Sequence, residues 1–355
     1  MPTLSPRKNI TLADVAKAAG VSKTTASHAL SGKGYVAAST RKMVVRVAQE
    51  MGFSVDPLAQ ILSNGRSEKT VGFFTLDLDL SSRTRQLQII QAELNERGYE
   101  VPIHAYGYSG AAKVENQLAL LNNLLAQRPR ALVCNLSGVL SPVIERLRRY
   151  VDEGGIAVCY GYDEFAPIGC DQVMHDEPES WMVAARHLTG LGHRNIGAFN
   201  VGQRRLEGAN LEAFARALSE VGAKINADWL FENDGTLRYE EDGARVGHEF
   251  LALRSRPTAM IVANDYAAAA FAATVVRGGV SIPGQLSLIG HDDDAIAPYA
   301  VVPLTTTAIA VEELAHRVVQ LLLERIEDGG ASPRRVRLPS RLVVRQSTAI
   351  AASRG

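Results

Sequence analysis

From Thr70 onward the chain alternates short apolar runs with amphipathic stretches, and this alternation restricts its fold more than any other feature. The runs VGFFTLD (71–77), VPIHAY (101–106), ALVCNL (131–136) and IAVCY (156–160) have strand length. Between them lie QLQIIQAELNERG, NQLALLNNLLAQR and VIERLRRYV, each with a helical period. Strands separated by helices cannot close as hairpins, so they pair in parallel with helices covering the sheet. A second series follows, with the helices starting at Trp181, Leu211, Asp242 and Asp265 and the strands NIGAFN, WLFEN, AMIVAN and LSLIGH. The pattern predicts two Rossmann-like α/β lobes within 70–350. The first is expected to span about 70–169 and 307–335, the second about 170–306 and 336–350. A ligand belongs in the cleft at the carboxyl ends of the strands.

With 355 residues, 46% hydrophobic and 21% charged, the chain is long enough for two or three globular units and too apolar for disorder. No apolar run approaches the ~20 residues that span a bilayer, and Met1 to Asn9 lack the apolar core of a signal peptide. A soluble, cytoplasmic protein is expected. Cys134, Cys159 and Cys170 have no metal-ligand spacing, and the first two sit in apolar runs, so they read as reduced core residues.

The total charge is zero, yet residues 1–66 carry nine basic and three acidic side chains, leaving 29 and 35 for the remainder. The first segment is therefore suited to a polyanion. Within it, Leu12, Val15, Ala16 and Ala19 share a helical face, and Asp14 follows Thr11 at capping-box spacing. Gly20 can close that helix and Ser22 can cap the next, KTTASHALSG. A third amphipathic run begins at a cap from Ser39 or Thr40 and supplies Val44, Val47, Ala48 and Met51. Two short helices on a Gly turn form a helix-turn-helix within a head spanning 9–55. The second helix carries small polar residues at its start, as a helix entering a major groove does; a plain structural hairpin is the other reading.

The segment from Ile10 to Phe53 resembles the head of the LacI/GalR family along its whole length, in TLADVAKAAGVSKTTASHAL and then in VAASTRKMVVRVAQEMGF. That resemblance implies a regulator, most simply a repressor, that binds double-stranded operator DNA. It makes Lys23, Thr24 and His28 the base-reading residues, with Thr11, Ser22 and Thr25 beside them. His28 stands where one branch of the family has arginine, and it cannot make the arginine fork to guanine. The stretch DPLAQILSNGRS matches the family's hinge helix within a hinge and linker at 56–69. Ala59 and Leu62 then fall at its minor-groove positions, with Leu62 as the wedge; an ordinary flexible linker is the alternative. In the large domain TGLGHRNIGAF, PTAMIVANDYAAAA, GVSIPGQLSLIGHDD, VPLTT and LVVRQSTA carry the resemblance. It implies a periplasmic-binding-protein-like fold, a small-molecule effector and no cofactor. The chain ends soon after Thr348 without the leucine-heptad tail of tetrameric members, which implies a homodimer.

The pocket departs from the family. Its usual Asn-Pro-aromatic-aromatic turn aligns with Leu80, Ser81, Ser82 and Arg83, and a third aromatic position with Gly235. The pocket arginine aligns with Asn210, or with Arg205 in a shifted register. The sugar-holding aspartate is retained as Asp265. Asp77 and Asn135 complete the effector candidates alongside Ser82, Arg83, Arg205, Asn210 and Asp265. With its stacking faces gone, the pocket suits a polar effector: a sugar, a sugar derivative or another polar metabolite, an anionic one included if Arg83 or Arg205 meets a carboxylate or phosphate. Solvated arginines, or no effector at all, are the alternatives.

Other residues look structural. Asp292-Asp293-Asp294 fits a loop better than a metal site, so no metal is expected. His193 reads as a helix-end partner, and Arg334, Arg335, Arg337, Arg341 and Arg345 as a solvated face. No nucleophile-base pair or phosphate loop appears, which argues against an enzyme. A solute-binding module with an incidental basic head, or an enzyme using the cleft, are the rival classes. Salt-dependent operator binding and turnover after deletion of 1–66 separate them.

Overall fold

The computed structural model describes residues 12–31, 36–51, 67–76, 78, 80–107, 114–161, 165–200, 206–234, 237–328 and 332–351. The chain divides into two compact units, Met1–Ser67 and Glu68–Gly355.

In the first unit, helices α1 (Leu12–Ala18), α2 (Lys23–Ser31) and α3 (Ala38–Glu50) enclose a core of Val15, Ala16, Ala19, Ala26, Ala29, Val44 and Ala48. Small alanines let three short helices approach closely. Gly20 takes a φ of +64°, the left-handed conformation that ends α1, and its neighbour Val21 N–H bonds back to Ala16. Ser22 caps α2: its Oγ accepts from Thr25 N–H at 3.0 Å. Helix α3 begins at Ala38, earlier than the hydroxyl caps proposed from sequence. Arg41 N–H bonds to Ala37 O, which places Ser39 and Thr40 inside the first turn, where alanine propensity extends the helix.

The second unit contains two six-stranded sheets with one plan. The first is built from β1 (Ser67–Leu76), β2 (Ile103–Tyr106), β3 (Pro129–Asn135), β4 (Ala157–Gly161), β5 (Asp171–His175) and β11 (Arg335–Leu338), in the order β2-β1-β3-β4-β5-β11. The second is built from β6 (Ile196–Phe199), β7 (Leu230–Phe231), β8 (Ala259–Val262), β9 (Ser287–Asp292), β10 (Thr305–Ala308) and β12 (Arg341–Val343), in the order β7-β6-β8-β9-β10-β12. Strand β12 runs antiparallel to β10. Both sheets reverse their winding beside the first strand, β1 or β6, which is where α/β sheets open a crevice.

Helices cover both faces. Around the first sheet lie α4 (Ser81–Glu96), α5 (Val114–Ala126), α6 (Ser141–Asp152) and α11 (Val311–Glu327). Alternation along each strand sorts the core: Phe73, Val133, Val158 and Val173 pack against α4 and α11, while Phe74, Cys134, Cys159 and Met174 pack against α5 and α6. Around the second sheet lie α7 (Glu177–Gly190), α8 (Gly208–Ser219), α9 (Tyr239–Ala252) and α10 (Asp265–Arg277). Its inner layers are Phe199, Met260, Val262 and Leu288 on one face and Ala198, Ala259, Ile261 and Ile289 on the other. The three cysteines are free and buried. Among the described residues no helix is long and apolar enough to cross a membrane.

The chain crosses between sheets after β5, after β10 and between β11 and β12. The first crossing follows His175 rather than falling near residue 170, because DQVMH pairs in parallel with β4. Thr307 and Ala308 likewise stay in the second sheet, and Val336 to Leu338 in the first. The arginines of the tail are not simply solvated. Arg334 and Arg325 both bond the buried Asp171 carboxylate, Arg335 and Arg337 lie over the Phe165 ring at 5.5 and 5.0 Å, and Arg345 pairs with Asp293. Burial disfavours the Asp171 charge, but the two guanidiniums outweigh it and hold the carboxyl below its usual range.

Candidate nucleic-acid interface and ligand cleft

The head buries Ala26 and Ala29 of α2 and leaves the opposite side open. Ser22, Lys23 and Thr24 are exposed at its N-terminus, and Thr25 and His28 are half-buried. Thr24 and His28 are four residues apart, so they share a face one turn apart. A hydroxyl-capped N-terminus bearing a lysine favours anions through its free N–H groups and its dipole. The sequence-derived candidates Thr11, Ala59 and Leu62 lie outside the described residues.

In the large unit the sequence candidates separate by lobe. Ser82 and Arg83 stand in the first turn of α4, and Asn135 ends β3, all in the first lobe and all buried. Asn210 lies in the first turn of α8 and Asp265 opens α10, both buried in the second. Asp77 and Arg205 lie outside the described residues.

At the strand ends of the first lobe, and on α4, several buried polar atoms make no close hydrogen bond among the described residues: Thr75 Oγ1, Asn135 Nδ2, Ser137 Oγ, the Tyr160 hydroxyl and, on α4, both amide atoms of Gln86. Asn135 Oδ1 accepts Ser137 N–H at 2.9 Å, which fixes the amide so that its NH2 is the spare group. Burial pushes the Tyr160 hydroxyl far above its ordinary range, so it stays protonated and able to donate. Neither Gln86 nor Tyr160 stood out in the sequence: Gln86 reads as one more polar residue of an amphipathic helix, and Tyr160 as the end of the apolar run IAVCY.

The second lobe presents carboxylates, and they are occupied. Asp265 is fully buried; its Oδ1 accepts the Thr306 hydroxyl and its Oδ2 accepts Asp294 N–H, both at 2.8 Å. A Cβ at Gly290 would meet Asp265 Oδ1 at 2.0 Å, so the glycine makes room for this carboxyl. Burial raises the Asp265 pKa to about 8, with Asp294 and Asp293 adding to it against the opposing pull of Thr306 and the Asp294 amide. The carboxyl is therefore largely neutral at pH 7. Asn264 caps α10 through Tyr266 and Ala267 N–H, and its Nδ2 donates to Asp292 at 3.1 Å. His193, read from sequence as a helix-end partner, closes α7 through its N–H on Leu188 O at 3.0 Å, and its ring also bonds Thr258 at 2.9 Å, Ser287 at 3.0 Å and Ala349 O at 3.1 Å, fastening the tail to this lobe.

Where the lobes face each other, a cavity of about 710 Å³ is lined by the outer face of α4 (Ser81, Thr84, Arg85, Gln88), by Tyr266, by Asp292 to Asp294 and by Arg341. Beside the crossings, His175 of the first sheet and His291 of the second stand with ring centroids 6.0 Å apart. Burial holds both below the usual histidine range, at about 3 for His175, where His291 adds to it, and about 4 for His291, so both rings are neutral. Among the described residues no group of three or more His, Cys, Asp or Glu side chains is placed to hold a metal ion.

Comparison with known proteins agrees with this architecture. Residues 11–56 match the bacterial regulatory proteins of the lacI family, and residues 185–348 match a periplasmic binding protein-like domain. The HTH-type transcriptional repressor PurR of Photobacterium profundum is 26% identical over 343 residues, 95% of this chain and 98% of the relative. The NTD biosynthesis operon regulator NtdR of Bacillus subtilis is 26% identical over 340 residues, with 95% and 99% covered. The same fold is seen in the Lac repressor dimer bound to operator and the anti-inducer ONPF, with TM-score 0.74, 24% identity, 96% of this chain and 100% of that one covered. It is seen again in a LacI-family regulator from Silicibacter pomeroyi, with TM-score 0.78, 21% identity and coverage of 96% and 99%. Neither curated relative is an enzyme. A lacI-type helix-turn-helix head followed by a two-lobed periplasmic-binding-protein-like domain makes this chain a DNA-binding transcriptional repressor of the LacI family.

Proposed function

We propose that the chain acts as a homodimer that reads a pseudo-palindromic operator, one half-site per head, and releases or tightens it when a small polar effector enters the interlobe cleft. The observation that carries the DNA reading is the N-terminus of α2, with Ser22 capping and Lys23 and Thr24 exposed beside it. Lys23, Thr24 and His28 reach base edges in the major groove, and Ser22 and Thr25 meet phosphates. Thr11 adds a backbone contact, and Ala59 and Leu62 form a hinge in which Leu62 wedges the minor groove at the operator centre. The Lac repressor dimer, bound to operator and an anti-inducer, supports both the dimer and the two-ligand logic.

Ser82, Arg83, Asn135 and Asn210, with Asp77 and Arg205, contact the effector, and Asp265 braces the second-lobe side. Spare hydroxyl and amide groups at the first lobe's strand ends favour a ligand rich in hydrogen-bonding groups. The working location is the bacterial cytoplasm.

Selection of genomic fragments by the purified chain, followed by binding titrations in increasing salt, tests the reading. Enrichment of one pseudo-palindrome with a steep salt slope is expected. Replacing Lys23 or His28 by alanine should relax one half-site position and cost about 1 to 3 kcal/mol per site. Indifference to every fragment would sink the proposal.

A further inference from the structure

Asp294 belongs to the second lobe, yet its carboxylate sits on the first turn of α4 in the first. The Ser81 hydroxyl donates to Asp294 Oδ1, and Ser82 N–H donates to the same oxygen at 2.6 Å; the Ser82 hydroxyl reaches Oδ2 at 3.4 Å. Ala295 N–H returns a bond to Ser81 Oγ at 3.0 Å. Helix α4 has no cap of its own, because the residue before it is Leu80. An acid from the opposite lobe therefore supplies the charge that its N-terminus lacks.

The loop bearing Asp294 is held for this task. Asp292 and Asp293 adopt φ values of 98° and 55°, which L side chains rarely take and which persist only where contacts impose them. Asn264 holds Asp292, Arg345 holds Asp293, and the Asp265 carboxyl holds the Asp294 amide. Asp294 is itself 1% exposed, so its contact with α4 competes little with water.

We propose that Asp294 is an interlobe latch: seated on the N-terminus of α4, it fixes the two lobes in this arrangement, and an effector that changes the arrangement has to break this contact. The inference deepens the reading above by naming what sets the lobes, and its test needs neither DNA nor effector, so the two can fail separately.

The test uses the full chain carrying Glu115→Cys on α5 and Glu212→Cys on α8, both exposed, with a spin label on each, mixed with an excess of unlabelled chain so that each measured dimer holds one labelled subunit. The native thiols are buried and leave the labels to the introduced ones. Pulsed electron resonance should give one narrow distance distribution. Asp294→Ala should raise the population of a second distance at least tenfold. Ser81→Asp attacks the latch from the other lobe, sets a like charge against Asp294 and gives α4 its own acidic first turn, so it remains informative if the first variant does not fold. Asp228→Ala, at an exposed carboxylate of the second lobe outside this loop, should leave the distribution unchanged. An unaltered distribution in folded Asp294→Ala or Ser81→Asp, or equal broadening by Asp228→Ala, would overturn the latch.

Discussion

The two halves of the cleft share one strand order and treat their polar groups in opposite ways. In the second lobe every carboxylate near the strand ends has hydrogen-bonding partners: Asp265 has Thr306 and the Asp294 amide, Asp292 has Asn264, Asp293 has Arg345. In the first lobe Thr75, Gln86, Asn135, Ser137 and Tyr160 keep neutral polar atoms buried without a close hydrogen bond among the described residues. A buried group with its partners stabilises the fold, whereas one without costs free energy until something binds. The second lobe is thus braced, and the first is left in debt to a ligand.

The largest expected effect that could break this contrast is on the braced side. Asp265→Ala strips the Thr306 hydroxyl and the Asp294 amide of their acceptor, and should lower stability by about 2 to 4 kcal/mol in urea titration. A loss below ~1 kcal/mol would mean the bracing is dispensable. On the other side the sign reverses. Gln86→Leu removes an unsatisfied buried amide at similar volume, so it should stabilise the ligand-free chain by about 1 kcal/mol; destabilisation would show that the amide is satisfied after all.

Acidity sharpens the comparison further. The folded Asp265 carboxyl titrates near 8, far above an unfolded aspartate at about 3.9, so from about pH 4 to 8 the folded state binds the extra proton. Its contribution therefore makes stability fall as pH rises through that window. His175 and His291, near 3 and 4 when folded and about 6.5 unfolded, act oppositely, and their contribution is lost as pH falls below about 6.5. Asp265→Asn should flatten the decline of Tm between pH 6.5 and 8 while leaving the acid limb in place. The smallest effect belongs to the head: Lys23→Ala, at an exposed position, should change stability by less than about 0.5 kcal/mol, so a larger loss would mean Lys23 serves the fold.

Much of this plan was legible in the residues because it is local. Gly20 and Ser22 specify the turn of the head within a few positions, and apolar runs such as ALVCNL declare their strands alone. The strand DQVMH escaped because its charged first residue, Asp171, is answered by Arg325 and Arg334, over 150 positions away. Helix α11 also went unread, since the strand that flanks it in its own lobe, β11, is the four-residue RVRL, which has no apolar run to mark it. Asp294 could be placed in a loop but not matched to Ser81, because nothing in a one-dimensional pattern records a partner 213 residues distant. The buried polar groups of the first lobe were hardest to read, since the burial of Gln86 and Tyr160 depends on distant segments, a property no sequence pattern carries.

The late strands β11 and β12 bear on how the molecule is made. Each completes a sheet whose other members emerged long before, so neither lobe is whole until the ribosome has passed Val343. The head is finished by Met51, and at ~5 to 20 residues per second the sensor trails it by roughly 15 to 60 s. During that interval β5 and β10 wait with open edges, which makes the nascent chain a natural client for chaperones.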